Sequence, residues 1–276
     1  MTTNPSAANE PLLKVTDLSK NFGGLRAVNR INLELSPGDL AGLIGPNGAG
    51  KTTAFNLITG VYYPTEGQIN FKGQEIGGLA PHIINQMGIA RTFQNIRLFP
   101  NLTVLENVCI AYHSHAGYSM QDAILRNNKF EVKEKELLEK AQDFLSIFNM
   151  QDRQGEIARN LPYGQQRRLE IARALAAEPQ LLLLDEPAAG MNPNESIALM
   201  ELIHFIRDRF KLTILLIEHQ MRVVMGVCEK ITVMDFGEVI AYGEPEQIQS
   251  DPRVIEAYLG RGAAELSEKL RRSKTE

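Results

Sequence analysis

Residues 40–53 read LAGLIGPNGAGKTT, an apolar stretch followed at once by a glycine-rich loop, a lysine and two threonines. A buried strand, a loop of this spacing and a helix beginning near Gly50 are typical of a phosphate-binding P-loop. The glycines allow successive N–H groups to turn toward phosphate oxygens, and the helix presents its positive end to them. We expect Lys51 to reach the β- and γ-phosphates and Thr52 to bind Mg²⁺. The expected nucleotide contacts are Gly45, Pro46, Asn47, Gly48, Ala49, Gly50, Lys51, Thr52 and Thr53. The alternative for this stretch alone is an ordinary glycine-rich turn.

The overall charge narrows the possible partners of the chain. Its 276 residues include 29 basic and 33 acidic side chains, a formal net charge of −4. A broad nucleic-acid surface needs a basic stripe, so we expect no nucleic-acid partner. The chain has no apolar stretch long enough to cross a bilayer and no signal-peptide pattern at its start. Any contact with a membrane is therefore expected to go through another protein.

The hydrophobic pattern predicts an α/β fold. The alternations Leu13–Val15 and Ile31–Leu35 indicate two strands with one side facing water, and Thr103–Glu106 reads as a capping box at a helix start. Other predicted elements are strands 67–71, 88–93, 180–185 and 212–217, helices 131–149, 164–177, 194–209 and 219–227, an irregular connection over 115–129, and a hairpin around Phe236-Gly237. Alternating strands and helices imply a parallel sheet. The predicted fold class is α/β, a P-loop NTPase (RecA-like) with a mainly parallel sheet, an N-terminal antiparallel β subdomain and an inserted helical subdomain.

This organisation divides the chain into three parts. Residues 1–10 are polar and predicted to be a disordered arm, and residues 261–276 form a charged tail. Residues 11–260 are predicted to be one domain that contains the P-loop. Within it, 11–95 and 160–260 make the nucleotide-binding core and 96–159 the helical subdomain.

Two buried strands end in candidate catalytic residues. LLLLDEP ends the first of them at Asp185-Glu186, and ILLIEH ends the second just before His219. Ligands bind outside the carboxyl edge of an open parallel sheet, so these groups can converge with the P-loop on one nucleotide. Asp185 then holds Mg²⁺, Glu186 polarises the attacking water as general base, and His219 senses the γ-phosphate. The alternatives are helix capping for the two acids and a capping or core role for His219.

At this point the chain resembles the ATP-binding cassette ATPases, from residue 12 to about 260. Gln94, in RTFQN, matches the family's glutamine that contacts Mg²⁺ and the transporter. LPYGQ at 161–165 stands where the signature loop belongs, AGMN at 189–192 matches the dimer-contact loop, and His219 matches the switch histidine. Phe22 matches the aromatic that stacks on adenine, with ordinary strand packing as the alternative. The resemblance implies ATP and Mg²⁺ as cofactors. It implies catalytic roles for Lys51, Gln94, Glu186 and His219, metal binding by Thr52, Gln94 and Asp185, and nucleotide contacts from Phe22, Tyr163, Gly164 and Gln165.

The signature departs from the family pattern, which is Leu-Ser-Gly-Gly-Gln. In the family two ATPases enclose two ATP molecules, and each signature reaches the γ-phosphate held by the other subunit. Pro162 has neither a hydroxyl nor an N–H to donate, although the start of the following helix still attracts phosphate. Because the other motifs are complete, we expect an asymmetric pair in which a distinct ATPase subunit supplies a conventional signature.

The string LPYGQQRRLEIAR, residues 161–173, resembles the ATPases of branched-chain amino acid importers. That resemblance implies two membrane permease subunits, indirectly a periplasmic binding protein for leucine, isoleucine and valine, and a peripheral location on the cytoplasmic face of the inner membrane. Ile96, Leu98 and Phe99 either line a groove for a permease helix or belong to the subdomain core. The alternative functions are the ATPase of a lipid or lipopolysaccharide exporter, a non-transport ATPase of the same superfamily, and a nucleotide-gated module that does not hydrolyse ATP.

Overall fold

A computed structural model describes residues 10–112 and 117–259. The described chain forms two compact units, one from residues up to Ile84 together with those from Leu183 onward, and one from Asn85 to Leu182. The predicted N-terminal arm, apart from Glu10, and the predicted charged tail lie outside the described residues. No helix within the described ranges is both long and apolar enough to span a bilayer.

The first unit contains an antiparallel sheet of four strands. The strands are β1 (Leu13–Phe22), β2 (Leu25–Leu35), β4 (Glu66–Phe71) and β5 (Gln74–Glu75), in the order β2-β1-β4-β5. At the end of β2 the apolar residues Ile31, Leu33 and Leu35 are buried, and Asn32 and Glu34 between them are exposed. The period-two pattern therefore places one face of this sheet in the core, as predicted.

The first unit also contains a mainly parallel sheet. The strands of this sheet that lie or end in the first unit are β3 (Leu40–Ile44), β7 (Leu181–Asp185), β8 (Thr213–Ile217), β9 (Lys230–Asp235) and β10 (Glu238–Gly243), in the order β10-β9-β3-β8-β7. Strand β3 pairs in parallel with β8 and β9, while β10 pairs antiparallel with β9. Every residue of β3, β7 and β8 is buried, as expected for strands covered on both faces. This confirms the predicted combination of one antiparallel and one mainly parallel sheet.

Among the described residues, six helices begin or lie in the first unit. They are α1 (Lys51–Ile58), α2 (Pro81–Gln86), α7 (Pro193–Phe210), α8 (Met221–Val227), α9 (Pro245–Ser250) and α10 (Pro252–Leu259). Helix α7 has strong start signals, because the Asn192 side chain accepts from the N–H groups of Asn194 and Glu195 and Pro193 occupies the first turn. Its predicted span is correct to within one residue at each end. The short elements β5, α2, α9 and α10 were not predicted.

The second unit is mostly helical. It contains β6 (Ile89–Arg91), α3 (Val104–Tyr112), α4 (Met120–Leu125), α5 (Asn128–Ile147) and α6 (Tyr163–Leu175), with 3-10 turns at 151–153 and 158–160. The predicted capping box is confirmed at the start of α3, where Thr103 Oγ1 accepts from Glu106 N at 3.2 Å and Glu106 Oε2 accepts from Thr103 N at 2.7 Å. The strand β6 is shorter than the predicted 88–93.

The prediction of an irregular connection over residues 115–129 is wrong for its described part. Ser119 and Asp122 form a capping box that starts α4, and the Asn127 side chain accepts from Phe130 N and starts α5. Ser and Asn are read in a sequence as loop residues, but at these positions they satisfy the free N–H groups of a helix start. Residues 115 and 116 lie outside the described range.

Candidate functional site

The glycine-rich loop connects β3 to α1, and two of its glycines have no room for a side chain. Gly45, Gly48 and Gly50 all have positive φ angles, of 148°, 84° and 100°. A Cβ on Gly45 would lie 2.0 Å from the carbonyl oxygen of Met234, and one on Gly50 would lie 2.4 Å from that of Ala27. Around Gly48 no atom lies within 4 Å of the same position. The loop is therefore closed on its inner side and open at Gly48, where a ligand can approach the backbone.

Lys51, the first residue of α1, is buried beneath this loop. Its Nζ donates to the carbonyl oxygens of Gly45 at 2.7 Å and Pro46 at 2.9 Å. Burial lowers the pKa of Lys51, and the charges of Glu186 and Asp185 partly oppose that shift. The amine is held inside the loop, while the neighbouring Thr52 is exposed to solvent.

The acid pair stands where β7 ends. Asp185 is the last residue of the strand and is buried. Glu186 follows in the left-handed region with a φ of 46°, and its N–H donates to Ile217 O at 2.8 Å. A positive φ is uncommon for a residue with a side chain, so the chain turns sharply between the two acids. The charges of both carboxylates act on the pKa of Lys51, the residue buried beneath the glycine-rich loop.

His219 follows the neighbouring strand β8. Its side chain is 51% exposed, and its Nδ1 lies 3.6 Å from Glu186 Oε2. The structure thus brings together Lys51, Asp185, Glu186 and His219, which the sequence places at the ends of three different strands. Sheet order explains this meeting, because β3, β8 and β7 are adjacent.

Glu218 is a site residue for which the sequence predicted no role. Its side chain is fully buried, and Oε1 accepts from Ala188 N at 2.8 Å. Its other oxygen, Oε2, accepts from His219 N at 3.0 Å and Gln220 N at 3.2 Å. The Gln220 side chain also donates to Ala188 O at 2.9 Å. Glu218 therefore fixes the backbone after the acid pair to the backbone that carries His219. The available signal was an acidic residue at the end of an otherwise apolar strand.

Phe22 lies at the end of β1 with 41% of its surface exposed. The ring meets Tyr62 edge to face with centroids 5.2 Å apart, and Lys20 Nζ lies 5.1 Å from its centroid. Tyr62 therefore supports the ring from one side. The exposed part of the ring is accessible for stacking.

The remaining predicted site residues belong to the second unit. Gln94 is exposed in the segment after β6, and Tyr163 begins α6 with Gly164 and Gln165 half-buried behind it. Arg167 connects the segment that carries Gln94 to the start of α6. Its Nη2 donates to Gln94 O at 2.8 Å and to the Tyr163 hydroxyl at 3.3 Å. Pro162 precedes α6 without a side-chain cap.

The residues around Lys51 fit a nucleoside triphosphate with a divalent cation. The backbone cradle excludes a Cβ at two positions, and a buried ammonium donates to two carbonyl oxygens that a phosphate can replace. Thr52 and Asp185 offer a hydroxyl and a carboxylate, the hard oxygen donors that Mg²⁺ prefers. The arrangement suits phosphoryl transfer, which needs positioning and charge neutralisation more than covalent catalysis.

Comparison with known proteins agrees with this chemistry. Residues 28–189 match the family model described as ABC transporter, and residues 238–264 match one described as branched-chain amino acid ATP-binding cassette transporter. The branched-chain amino acid transport ATP-binding protein LivG of Escherichia coli (strain K12) is 47% identical over 91% of this chain and 99% of its own length. Its counterpart BraF of Pseudomonas aeruginosa is 46% identical over the same shares. A solved ATP-binding cassette of an ABC transporter in its ADP conformation has a TM-score of 0.80 and 31% identity, covering 92% of this chain and 100% of that one.

Proposed function

This chain belongs to the ATP-binding cassette ATPases of ABC transporters, and from that premise we propose that it is the motor subunit of a branched-chain amino acid importer. ATP hydrolysis is the activity of this family, and apart from the altered signature the described motifs of the chain are complete for it. The observation that carries the choice of solute is the match of residues 238–264 to the branched-chain family model, together with the 47% identity to LivG. The same match favours the importer over the lipid or lipopolysaccharide exporter.

In the proposed reaction, the glycine-rich loop and the first turn of α1 bind the phosphates of ATP through backbone N–H groups. Lys51 exchanges its two carbonyl acceptors for phosphate oxygens. This exchange is favourable because a buried ammonium gains more from an anion than from neutral acceptors. Thr52 and Asp185 would hold Mg²⁺, which neutralises charge on the phosphates when bound. Phe22 stacks on the adenine ring.

Glu186 is proposed as the general base. Its carboxylate accepts the proton of the water that attacks the γ-phosphorus, and the bond to the β-phosphate oxygen breaks to leave ADP. His219, 3.6 Å from the Glu186 carboxylate, orients that carboxylate and donates toward the γ-phosphate. The contacts of Gln94 with Mg²⁺ and the transporter, its catalytic role, and the nucleotide contacts of Tyr163, Gly164 and Gln165 are proposed from the family resemblance.

The replacement Glu186→Gln tests the motor function. It keeps the shape of the side chain but removes the base, so hydrolysis should fall about 10²–10⁴-fold while ATP stays bound. The measurement is phosphate release by the complex purified through this chain from its own membranes. A variant with unchanged turnover would refute the proposed role of Glu186.

The altered signature supports a heterodimer of ATPases. Pro162 cannot donate to a γ-phosphate, and losing one hydrogen bond to a charged group weakens a contact by roughly 1.5–3 kcal/mol. We therefore propose that a distinct subunit supplies the signature that completes the ATP site described above. Purified alone, the chain should hydrolyse ATP slowly and without cooperativity. Fast, cooperative hydrolysis by a homodimer would contradict this asymmetry.

Permease subunits are the proposed membrane partners, which places the chain at the cytoplasmic face of the inner membrane, with a periplasmic binding protein as an indirect partner. Ile96 and Leu98 are half-buried and Phe99 is 43% exposed, so these side chains are not a closed core. Their exposure supports the groove interpretation.

Uptake of labelled leucine, isoleucine and valine by cells lacking this chain tests the solute, and other labelled amino acids are the comparison. Undiminished uptake of all three would refute the assignment.

A further inference from the structure

One buried guanidinium in the second unit holds two distant stretches of chain together. Arg167 on α6 has no exposed surface. Its Nη1 donates to Phe93 O at 2.6 Å and to Glu170 Oε2 at 2.7 Å, and its Nη2 donates to Gln94 O at 2.8 Å and the Tyr163 hydroxyl at 3.3 Å. The side chain therefore donates at the same time to two consecutive carbonyl groups of the segment after β6 and to the Tyr163 hydroxyl in the first turn of α6.

Glu170, on the same helix, bonds to the backbone of the same segment. Its side chain is almost fully buried, and Oε1 accepts from Arg97 N at 3.0 Å and from Phe93 N at 3.4 Å. The pair thus offers donors to two main-chain carbonyls and acceptors to two main-chain N–H groups of one short segment. An ordinary i,i+3 ion pair on a helix explains the Arg167–Glu170 contact but none of these four backbone contacts.

Stability alone is a weak reason for such a pair. Taking two charges out of water costs much of what their attraction returns, and apolar residues of similar volume are often at least as stabilising. A planar guanidinium with several fixed donors is instead well suited to holding geometry. Tyr163, one of the two residues that depart from the family signature, accepts from Arg167 with its hydroxyl.

We propose that Arg167 and Glu170 are positioning residues that make segment 93–97, which carries Gln94, and the first turn of α6, which carries Tyr163, move as one body during the ATP cycle. A displacement of the segment then reaches the signature residues 163–165 without an intervening flexible joint. The proposal rests on the proposed function, because it concerns how movement of a permease subunit changes the activity of the ATPase.

The test uses the membrane complex isolated through this chain, with the double variant Arg167→Met/Glu170→Leu. This change removes both charges together, so no unpaired charge is left buried, although four backbone groups of the segment lose these partners. The expected result is a fall of kcat by about tenfold with KM for ATP changed less than about twofold. Backbone N–H groups of residues 93 and 97 should also exchange faster with deuterium. Unchanged kcat in a folded variant would overturn the proposal.

The matched control is Arg153→Met/Glu156→Leu, which removes an i,i+3 pair of the same residue types from the surface of the same unit. We expect kcat, KM and deuterium exchange at residues 93 and 97 to stay at wild-type values.

A conservative variant covers the case in which the double variant does not fold. Arg167→Lys keeps a cation beside Glu170, but one compact ammonium does not reproduce the fork that reaches both carbonyls. It should lower kcat by about threefold at wild-type KM. Wild-type kcat here, or loss of the fold in both variants, would assign the pair a purely structural role and overturn the proposal. Glu186→Gln in the same complex separates the two questions, since its outcome tests the motor function without touching Arg167.

Discussion

His219 Nδ1 lies 3.6 Å from Glu186 Oε2, and both side chains reach this point from the ends of adjacent buried strands. The imidazole is half-exposed, whereas the carboxylate is largely shielded. An imidazole beside the proposed base restricts the orientations of that carboxylate. The catalytic roles proposed for the two residues depend on this proximity.

The replacement His219→Ala should slow hydrolysis by about 10²-fold and change ATP affinity by less than about threefold, because the ring acts on the attacking water and γ-phosphate more than on ground-state binding. Phosphate release and fluorescent-nucleotide binding measure the two quantities. His204→Ala is the control, since His204 bonds to Gly226 O on another face of the unit. Equal effects of the two replacements would contradict the catalytic role.

Glu218→Gln should lower both stability and kcat. An amide keeps one acceptor oxygen but sets an NH₂ against backbone N–H groups that now donate to a carboxylate, at a cost of about 1–3 kcal/mol. The backbone at Ala188 and His219 then loses its common anchor. Thermal unfolding and kcat are the measurements. Glu229→Gln is the control, because it alters only an exposed ion pair with Arg207 and should have little effect on either.

Comparing Gly45→Ala with Gly48→Ala should distinguish the stability lost to backbone strain from the stability lost to steric overlap. Both glycines have positive φ, which costs a residue with a Cβ about 1–2 kcal/mol. Only Gly45 also faces a carbonyl oxygen at 2.0 Å, so its replacement should cost about 1–3 kcal/mol more. The free energy of unfolding in urea is the measurement. Similar losses for the two variants would contradict the close approach of Met234 to Gly45.

Phe99→Glu should uncouple transport from ATP binding. A carboxylate at an apolar anchor of the proposed permease groove opposes docking of an apolar helix face, while the P-loop lies in the other unit. Solute uptake should fall by about tenfold and nucleotide affinity should stay constant. Phe205→Glu changes a phenylalanine of similar exposure on α7 and should leave uptake intact. Normal uptake by the Phe99 variant would exclude the groove.

Cys228 should resist alkylation in the folded protein. Burial raises its pKa to about 12, so at pH 8 the thiol remains protonated and the reactive thiolate is scarce. Raising the pH toward 12, or unfolding the chain, should increase labelling by iodoacetamide. A Cys109→Ala background leaves this thiol as the only one in the chain. Rapid labelling of the folded variant at pH 8 would contradict the burial.

Much of the fold follows from local patterns. The alternation in β2, the apolar runs of β3, β7 and β8, and the cap residues at Thr103 and Asn192 each act within a few residues of chain. The wrong prediction for the residues before α5 also comes from local patterns. Ser119 and Asn127 are residue types that serve equally well in loops and at helix starts. Only the backbone geometry distinguishes the two uses.

The sequence by itself determined the glycine-rich loop, the placement of Asp185, Glu186 and His219 after buried strands, and the family, because these depend on residue type and order along the chain. The tertiary structure alone decided the roles of Glu218 and Arg167. Both are charged side chains that become buried, and a charge is stable in the interior only where partners from other parts of the chain surround it. Those partners are mostly backbone atoms, which every residue has, so their positions leave no trace in the sequence.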